Sequence, residues 1–406
     1  MTSAESGRHA VVHVVREFLP LTENWIYELI RHVPDVDAVI VCDRIRPDNT
    51  LPTTRVYPLP SRWAQLTNQV WRKLTNGNCP HGYQHILKQY HPALMHAHFG
   101  DQGVLMLPTA RHWKIPLITS FYGYDVSKLP RDPMWRKRLQ NLFQTGDLFL
   151  AEGPHLKERL CALGCLPSRV LIQPLGIDPE AIRFRLRQRH TGPARLLMAA
   201  SMREKKGLTY GLRAILHVLN QFPESLYLTV IGDGPLRSSL EAMVKQSGAT
   251  DRVRFLGYQP RAVFLDEALK SDLFISPSVT ASDGDTEGGA PVSLIEAQAT
   301  GLPIISTTHA DIPFVTRPDQ SAILVPERDV HALVQALDTL LHAPERWAKM
   351  GCAGRNHVET HFNSRHLGLQ LQARYRALIE TNAEHLRNQN RPSIKKMPII
   401  QKRIDW

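Results

Sequence analysis

The stretch from Leu273 to Thr308, LFISPSVTASDGDTEGGAPVSLIEAQATGLPIISTT, constrains the architecture more than any other part of the chain. Its apolar run Leu273 to Ile275 reads as a short buried strand that breaks at Pro277 and enters an acidic, glycine-bearing loop. A helix should follow. Pro291 suits a first helical turn, Leu294, Ile295, Ala297 and Ala299 give an apolar face, and Gly301 then Pro303 stop it before the next strand at 304–306. The loop therefore feeds a helix N-terminus at the carboxyl end of a parallel strand, where free N–H groups and the helix dipole favour an anion such as a phosphate. Glu287 in the loop and Glu296 in the helix add carboxylates that a bare anion site would not tolerate. The combination points to a ligand with both phosphate and hydroxyl groups, as a nucleotide-sugar has.

At 406 residues and 43% apolar content, the chain is long enough for two domains with good cores. A net charge of +11 suits nucleic acid, an anionic membrane surface or a phosphorylated ligand, and does not choose among them. No nucleic-acid recognition element is found. The N-terminus has only a short apolar core with polar flanks, unlike a signal peptide, and no run approaches the roughly 18 apolar residues needed to span a bilayer. A cytoplasmic location is expected, with peripheral contact on the inner membrane. Cys42, Cys79, Cys161, Cys165 and Cys352 are odd in number and scattered, as reduced thiols are.

Further strands are expected at 10–15, 38–41, one ending in 94–100, and others at 148–151, 196–200 and from residue 226. In LMHAHFG, residues 94–100, His96 and His98 share one strand face; no third His or nearby carboxylate completes a zinc set, so no metal is expected. SKLPRDPMWRKRL, residues 127–139, interleaves Lys128, Arg131, Arg136, Lys137 and Arg138 with Leu129, Met134 and Trp135. This is either an interfacial membrane patch or a solvated helix start. RFRLRQRHTGPA, residues 183–194, reads as a polar, basic linker. Beyond it, the loop with Arg203, Lys205, Lys206 and Gly207 sets cations at a helix start, where they can hold a diphosphate. The turn with Gly232 and Gly234 is too short for a dinucleotide fingerprint.

Taken together, these motifs resemble the group-1, retaining glycosyltransferases of GT-B fold, and in particular exopolysaccharide and colanic-acid-type members. That family carries two Glu in an EGxxxxxxE-like arrangement followed by A-x-A-x-G-x-P. The resemblance implies that Glu287 contacts the donor sugar, Glu296 binds the ribose, and the backbone of Gly288, Gly289 and Ala290 approaches the sugar and diphosphate. Eight residues separate Glu287 from Glu296, one more than the family usually has. Lys206 matches the Lys of the family's GRLxxxKG; Ser201 holds the Arg position, and Arg203 is expected to substitute. Gly232 and Gly234 match an IGxGP loop near the nucleotide, with Tyr258 bordering the base. Tyr122 stands where the family's TxHGxD has His, while Gly123 and Asp125 keep the pattern. A phenol with an ordinary pKa of about 10 hydrogen-bonds rather than exchanging protons near neutrality. Phe18, Pro20, Thr22 and Glu23 resemble the FPxxSETFI loop, where Thr22 either faces the acceptor or caps a helix. His98 and Asp125 are also expected on the acceptor side, with His98 touching the acceptor or orienting its neighbours. Asp283 and Asp285 form a D-x-D, the metal motif of the different GT-A class, but beside Glu287 in a second Rossmann-like domain they are not expected to bind metal.

The expected fold is α/β, GT-B, with two doubly wound Rossmann-like domains facing a cleft: an acceptor-binding domain at 1–185, a nucleotide-sugar-binding domain at 186–365, a helix crossing back at 366–385, and a flexible basic tail at 386–406. The implied activity is retaining transfer of a hexose from a nucleotide-diphosphate sugar to a lipid-linked saccharide in surface polysaccharide synthesis, without cofactor or metal. The alternative is a non-catalytic nucleotide-sugar-binding protein with a degenerate site, in view of Tyr122, Ser201 and the extra loop residue.

Overall fold

The computed structural model describes residues 8–18, 24–45, 55–58 and 81–389; Thr22 lies outside them. The first sheet comprises β1 (His9–Phe18), β2 (Val36–Ile45), β3 (Val56–Pro58), β4 (Leu94–His98), β5 (Leu117–Phe121), β6 (Leu148–Ala151) and β7 (Val170–Ile172). They pair in parallel in the order β3-β2-β1-β4-β5-β6-β7. The second sheet holds β8 (Ala194–Ala199), β9 (Leu226–Ile231), β10 (Val253–Phe255), β11 (Leu273–Ser276), β12 (Ile304–Thr307) and β13 (Ala322–Val325), also parallel, in the order β10-β9-β8-β11-β12-β13. Every residue of β4, β5, β11 and β12 is buried. Helices on both faces of a parallel sheet leave no wet side, which is why these strands read as unbroken apolar runs.

The direction of winding reverses between β1 and β4 in the first sheet and between β8 and β11 in the second. At such switch points the loops leaving adjacent strands diverge and open a crevice at the carboxyl ends. The chain returns to the first domain through a bridge between Ile177 and Asn363 and the helix Ser364–Gln389. Leu371 and Tyr375 of that helix pack with Val11, Leu94, Ile118 and Leu150 under the first sheet. The returning helix is thus longer at both ends than the expected 366–385.

The connection at 183–194 is exposed over most of its length, with a buried exception at Arg187. Arg187 is fully buried and donates to the carbonyls of Ala268 at 2.6 Å, Ser271 at 3.2 Å and Thr300. These lie at the ends of the helices Arg261–Lys270 and Val292–Ala299, where the last carbonyls carry the negative end of the dipole. Burial pulls the Arg187 pKa down to about 9. Among the described residues, no helix is long and apolar enough to cross a membrane.

Candidate active site

The loops leaving β8 and β11 meet at Gly207. Its φ of 63° and its contact with Pro277, whose carbonyl oxygen would lie 1.7 Å from an added Cβ, leave room only for glycine. Lys206, in the turn Glu204–Lys206 just before it, is thereby aimed across β11 at the acidic loop. Its Nζ donates to Glu287 Oε2 at 2.6 Å, and Ser278 Oγ donates to Oε1 at 2.8 Å. The Glu287 N–H donates to His309 Nε2 at 3.2 Å, so the His309 proton sits on Nδ1 and bonds Glu327 Oε1 at 2.6 Å. Glu287 is 8% exposed. Burial opposes its charge, but Lys206, Lys205 and the two side-chain hydrogen bonds prevail and hold the carboxyl below its ordinary pKa.

Both carboxylates of the D-x-D are answered by lysines: Asp283 by Lys128 at 2.7 Å and Asp285 by Lys205 at 3.1 Å. Glu296, inside the helix Val292–Ala299, is paired with Arg261 Nε. Burial outweighs this partner, and Glu28 of the first domain adds to it, so the Glu296 pKa is raised. The two Glu are therefore electrostatically unlike. Gly232 and Gly234 pack on the exit of β8, an added Cβ standing 1.9 Å from the Ala200 oxygen and 2.9 Å from the Met202 oxygen. Tyr258, just past β10, is 48% exposed. Arg203 is exposed, and its side chain makes no hydrogen bond or ion pair among the described residues.

Across the cleft the first domain meets this loop through glycine. A Cβ on Gly123 would fall 2.5 Å from the Glu287 oxygen, and one on Gly288 2.1 Å from Gly123 Cα. Tyr122 precedes Gly123, with its ring against Trp25 and Phe99 and its hydroxyl 2.8 Å from His98 Nδ1. Burial raises the phenol well above its usual pKa.

Two expected acceptor-side residues turn out to lie beneath the wall rather than on it. His98 and Asp125 are fully buried. Asp125 accepts the N–H groups of Gly123 at 2.8 Å, Gly100 at 2.9 Å and Tyr122 at 3.1 Å, pinning the loop after β5 to the helix Gly100–Trp113. Burial lifts its pKa to about 6 against these three bonds. His98, the last residue of β4, is sealed from solvent and bonded to the Tyr122 hydroxyl. It also shares a 3.2 Å hydrogen bond with His13 Nδ1.

His13 corrects the expectation that no third His stands near His96 and His98: the three side chains cluster, all buried. The rings of His96 and His98 stack at 4.3 Å and 24°, those of His13 and His98 at 5.5 Å and 24°. The His13 and His96 rings are tilted by 43° at 5.4 Å, and one nitrogen from each of the three rings lies within 4.8 Å of the others. Every ring nitrogen except His13 Nε2 has a partner, His96 using Ser120 at 2.7 Å and the Tyr375 hydroxyl at 2.6 Å. Burial lowers the pKa of all three, His13 to about 3, so the cluster is neutral.

Sequence reasoning missed Ser278, Arg261, His309, Asp311 and Glu152. Asp311, after β12, caps the first-domain helix Pro154–Ala162 through the N–H groups of His155 at 2.8 Å and Leu156 at 3.2 Å. Glu152, just past β6, places Oε2 where a Cβ on Gly289 would be 1.5 Å away. The only available signal was their position next to the carboxyl end of an apolar run. A separate hollow of about 430 Å³, lined by His190, Ala194 and Trp347, lies at the amino end of β8 and contains none of these side chains.

Comparison with known proteins agrees with this arrangement. Residues 193–343 match the family described as glycosyl transferases group 1, and residues 22–181 match glycosyltransferase family 4. The chain is 34% identical over 272 residues to the amylovoran biosynthesis glycosyltransferase AmsK of Erwinia amylovora, covering 66% of this chain and 65% of that protein. It is 32% identical over 288 residues to the putative colanic acid biosynthesis glycosyltransferase WcaL of Escherichia coli, covering 70% of each. The structure of sucrose-phosphate synthase from Thermosynechococcus elongatus superposes with a TM-score of 0.73 at 16% identity, covering 92% of this chain and 100% of that one. HepE from Anabaena, solved with UDP and glucose, gives 0.68 at 14% identity, covering 94% and 100%. Two parallel-sheet domains with loops converging across a cleft define the fold class as GT-B. The chain belongs to the group 1 glycosyltransferase family.

Proposed function

We propose that the protein is a retaining glycosyltransferase that moves a hexose from a nucleotide-diphosphate sugar to a lipid-linked saccharide in surface polysaccharide synthesis. The observation that carries this reading is the Lys206–Glu287 pair at 2.6 Å, held at the carboxyl ends of β8 and β11 and directly against Gly123 of the opposite domain. Kinship with AmsK and WcaL supports the polymer class.

In this reading the donor lies along the second domain. Lys206, with the unpaired Arg203, offsets charge that builds on the departing diphosphate. Glu287 is charged and accepts from sugar hydroxyls, Glu296 takes the ribose, and the amides of Gly288, Gly289 and Ala290 approach the sugar and diphosphate. Gly232, Gly234 and Tyr258 border the nucleotide. The leaving phosphate accepts the acceptor's proton, so the neutral His98 and the high-pKa Tyr122 need only position oxygens. Lys205 and Lys206 supply the positive charge, and no metal enters the scheme. The acceptor approaches from the first domain, where exposed Met134 with Arg131, Lys137 and Arg138 forms a strip suited to an anionic membrane surface.

Donor hydrolysis and thermal shift over UDP-, GDP- and ADP-sugars, with the wild type beside Glu287→Ala and Lys206→Ala, test this. One nucleotide-sugar that stabilises the wild type and is turned over by it, but not by the variants, is the expected result. Binding without turnover, even with lipid-linked acceptor present, would convert the reading to a binding protein, and no binding would sink it.

A further inference from the structure

Glu152 follows β6 in the first domain, yet its carboxyl lies on the backbone of the second. The 1.5 Å that would separate Oε2 from a Cβ on Gly289 places the oxygen against the Gly289 Cα, two residues beyond Glu287. The side chain is 9% exposed. Among the described residues no Lys, Arg or His pairs with it; the nearby cations Lys205 and Lys206 are taken by Asp285 and Glu287. The Ala290 N–H faces it and favours its charged form. Gly289 is fastened independently, its carbonyl accepting the Asp311 N–H at 3.2 Å, so the loop does not depend on Glu152 for its place.

A carboxyl that is 9% exposed, makes no ion pair among the described residues and is not one of the sealed unpartnered groups offers its free edge to whatever enters the cleft. Phosphate is a poor match, because its charge is met by the lysines and the surroundings of Glu152 are acidic: Asp311, Asp125 and Glu287 all act on it. Burial first, then these like charges, push its pKa well above the usual carboxyl range, which favours the protonated form, an O–H donor beside a C=O acceptor. A sugar hydroxyl is likewise donor and acceptor.

We propose that Glu152 hydrogen-bonds a hydroxyl of the transferred sugar from the acceptor-domain side of the cleft, and so helps set which sugar is accepted. The proposal rests on the glycosyltransferase reading above. It divides the donor site between domains: the second domain holds the nucleoside diphosphate, and the sugar is recognised only when the first domain brings Glu152 onto Gly289.

Titration calorimetry with UDP and UDP-glucose, and with GDP and GDP-mannose, tests it on the wild type, Glu152→Met, Glu152→Gln and Lys206→Ala. Glu152→Met removes an unpaired buried acid and is expected to melt no lower than the wild type. It should bind the bare nucleotide within about twofold of the wild type but the nucleotide-sugar about tenfold more weakly, as expected for one lost hydrogen bond with a partner left bare. Glu152→Gln, which keeps a donor and an acceptor, should stay within about threefold of the wild type on both ligands. Equal weakening of nucleotide and nucleotide-sugar by Glu152→Met would make the residue a loop clamp, and no weakening at all would remove it from the site. Glu152→Gln falling as far as Glu152→Met would overturn the neutral hydrogen bond. If Lys206→Ala loses the nucleotides while Glu152→Met keeps full sugar affinity, the donor site stands and this proposal falls. A wild type that binds none of the probes ends both.

Discussion

Asp311 of the second domain accepts the backbone N–H of His155 in the first at 2.8 Å. The helix Pro154–Ala162 begins after Gly153, which offers no capping side chain, so an acid from the other domain serves the orphan donors. Gly153 is what permits the approach, since a Cβ there would stand 2.3 Å from Asp311 Cγ. This helix end is completed by a residue of the opposite domain.

Asp311→Ala should therefore cost about 1 kcal/mol, the usual worth of a helix cap. In a protein of 406 residues that lowers the melting temperature by roughly 1–2 °C. Asp311→Asn, which still accepts, should recover most of the loss. Calorimetric melts at neutral pH check this, and an unchanged Asp311→Ala melt would show that the contact carries no stability.

Lys206→Met removes the first cation on a carboxyl that is 8% exposed. Breaking a buried pair from one side costs about 3 kcal/mol, and loss of the diphosphate contact should lower turnover about 10²–10³-fold. In the wild type the Glu287 pKa is depressed, so its contribution is full at neutral pH and is lost only as pH falls through that depressed value. In Lys206→Met that loss should begin at higher pH. The double variant Lys206→Met with Glu287→Gln should regain stability but not turnover; a single variant as stable as the wild type would contradict the pairing.

Glu152, Asp125 and Asp311 have folded pKa values above their ordinary ones, about 6 for the latter two. Groups of this sign favour the fold fully below their unfolded pKa and withdraw that support as pH rises through the folded value. Glu152→Gln imitates the protonated acid at every pH. Its melting temperature should exceed that of the wild type at pH 8, with the gap narrowing toward pH 5. A gap constant across that range would mean that Glu152 does not titrate in the fold as its burial requires.

Arg187→Met would remove the charged donor shared by the Ala268, Ser271 and Thr300 carbonyls, leaving each with one other donor, the Ser271 N–H, the Arg185 side chain and the Arg185 N–H respectively. The expected cost is about 1.5–3 kcal/mol, the usual worth of hydrogen bonds from a charged group. Arg187→Lys should restore part of it, because an ammonium keeps the charge but not the fork that spans several carbonyls. Urea denaturation compares the three proteins, and equal midpoints would show that the helix ends are solvated without Arg187.

The sequence by itself determined the alternation of strands and helices, because parallel strands covered on both faces must be continuous apolar runs punctuated by Gly and Pro. It also determined the site loops, since Lys206–Gly207 and Glu287 through Ala290 carry local chemistry at strand ends that holds wherever the strands lie. The bounds of β11, β12 and the helix between them follow from Pro277, Pro291 and Gly301. What tertiary structure decided is which side chains are sealed and which face the cleft. His98 and Asp125 looked like wall residues and proved to be supports, because Tyr122 and its loop fold over them. His13 joins His98 across 85 residues, and Asp311 joins His155 across 156, separations over which no periodicity carries information. Arg187 reads as one more charge in a basic linker until two helix ends converge on it. Glu152 is an ordinary acid after a strand until Gly289, from the other domain, comes to rest against it. Local pattern fixes an element because its hydrogen bonds are local; a charge acquires its role from neighbours that only the packed chain supplies.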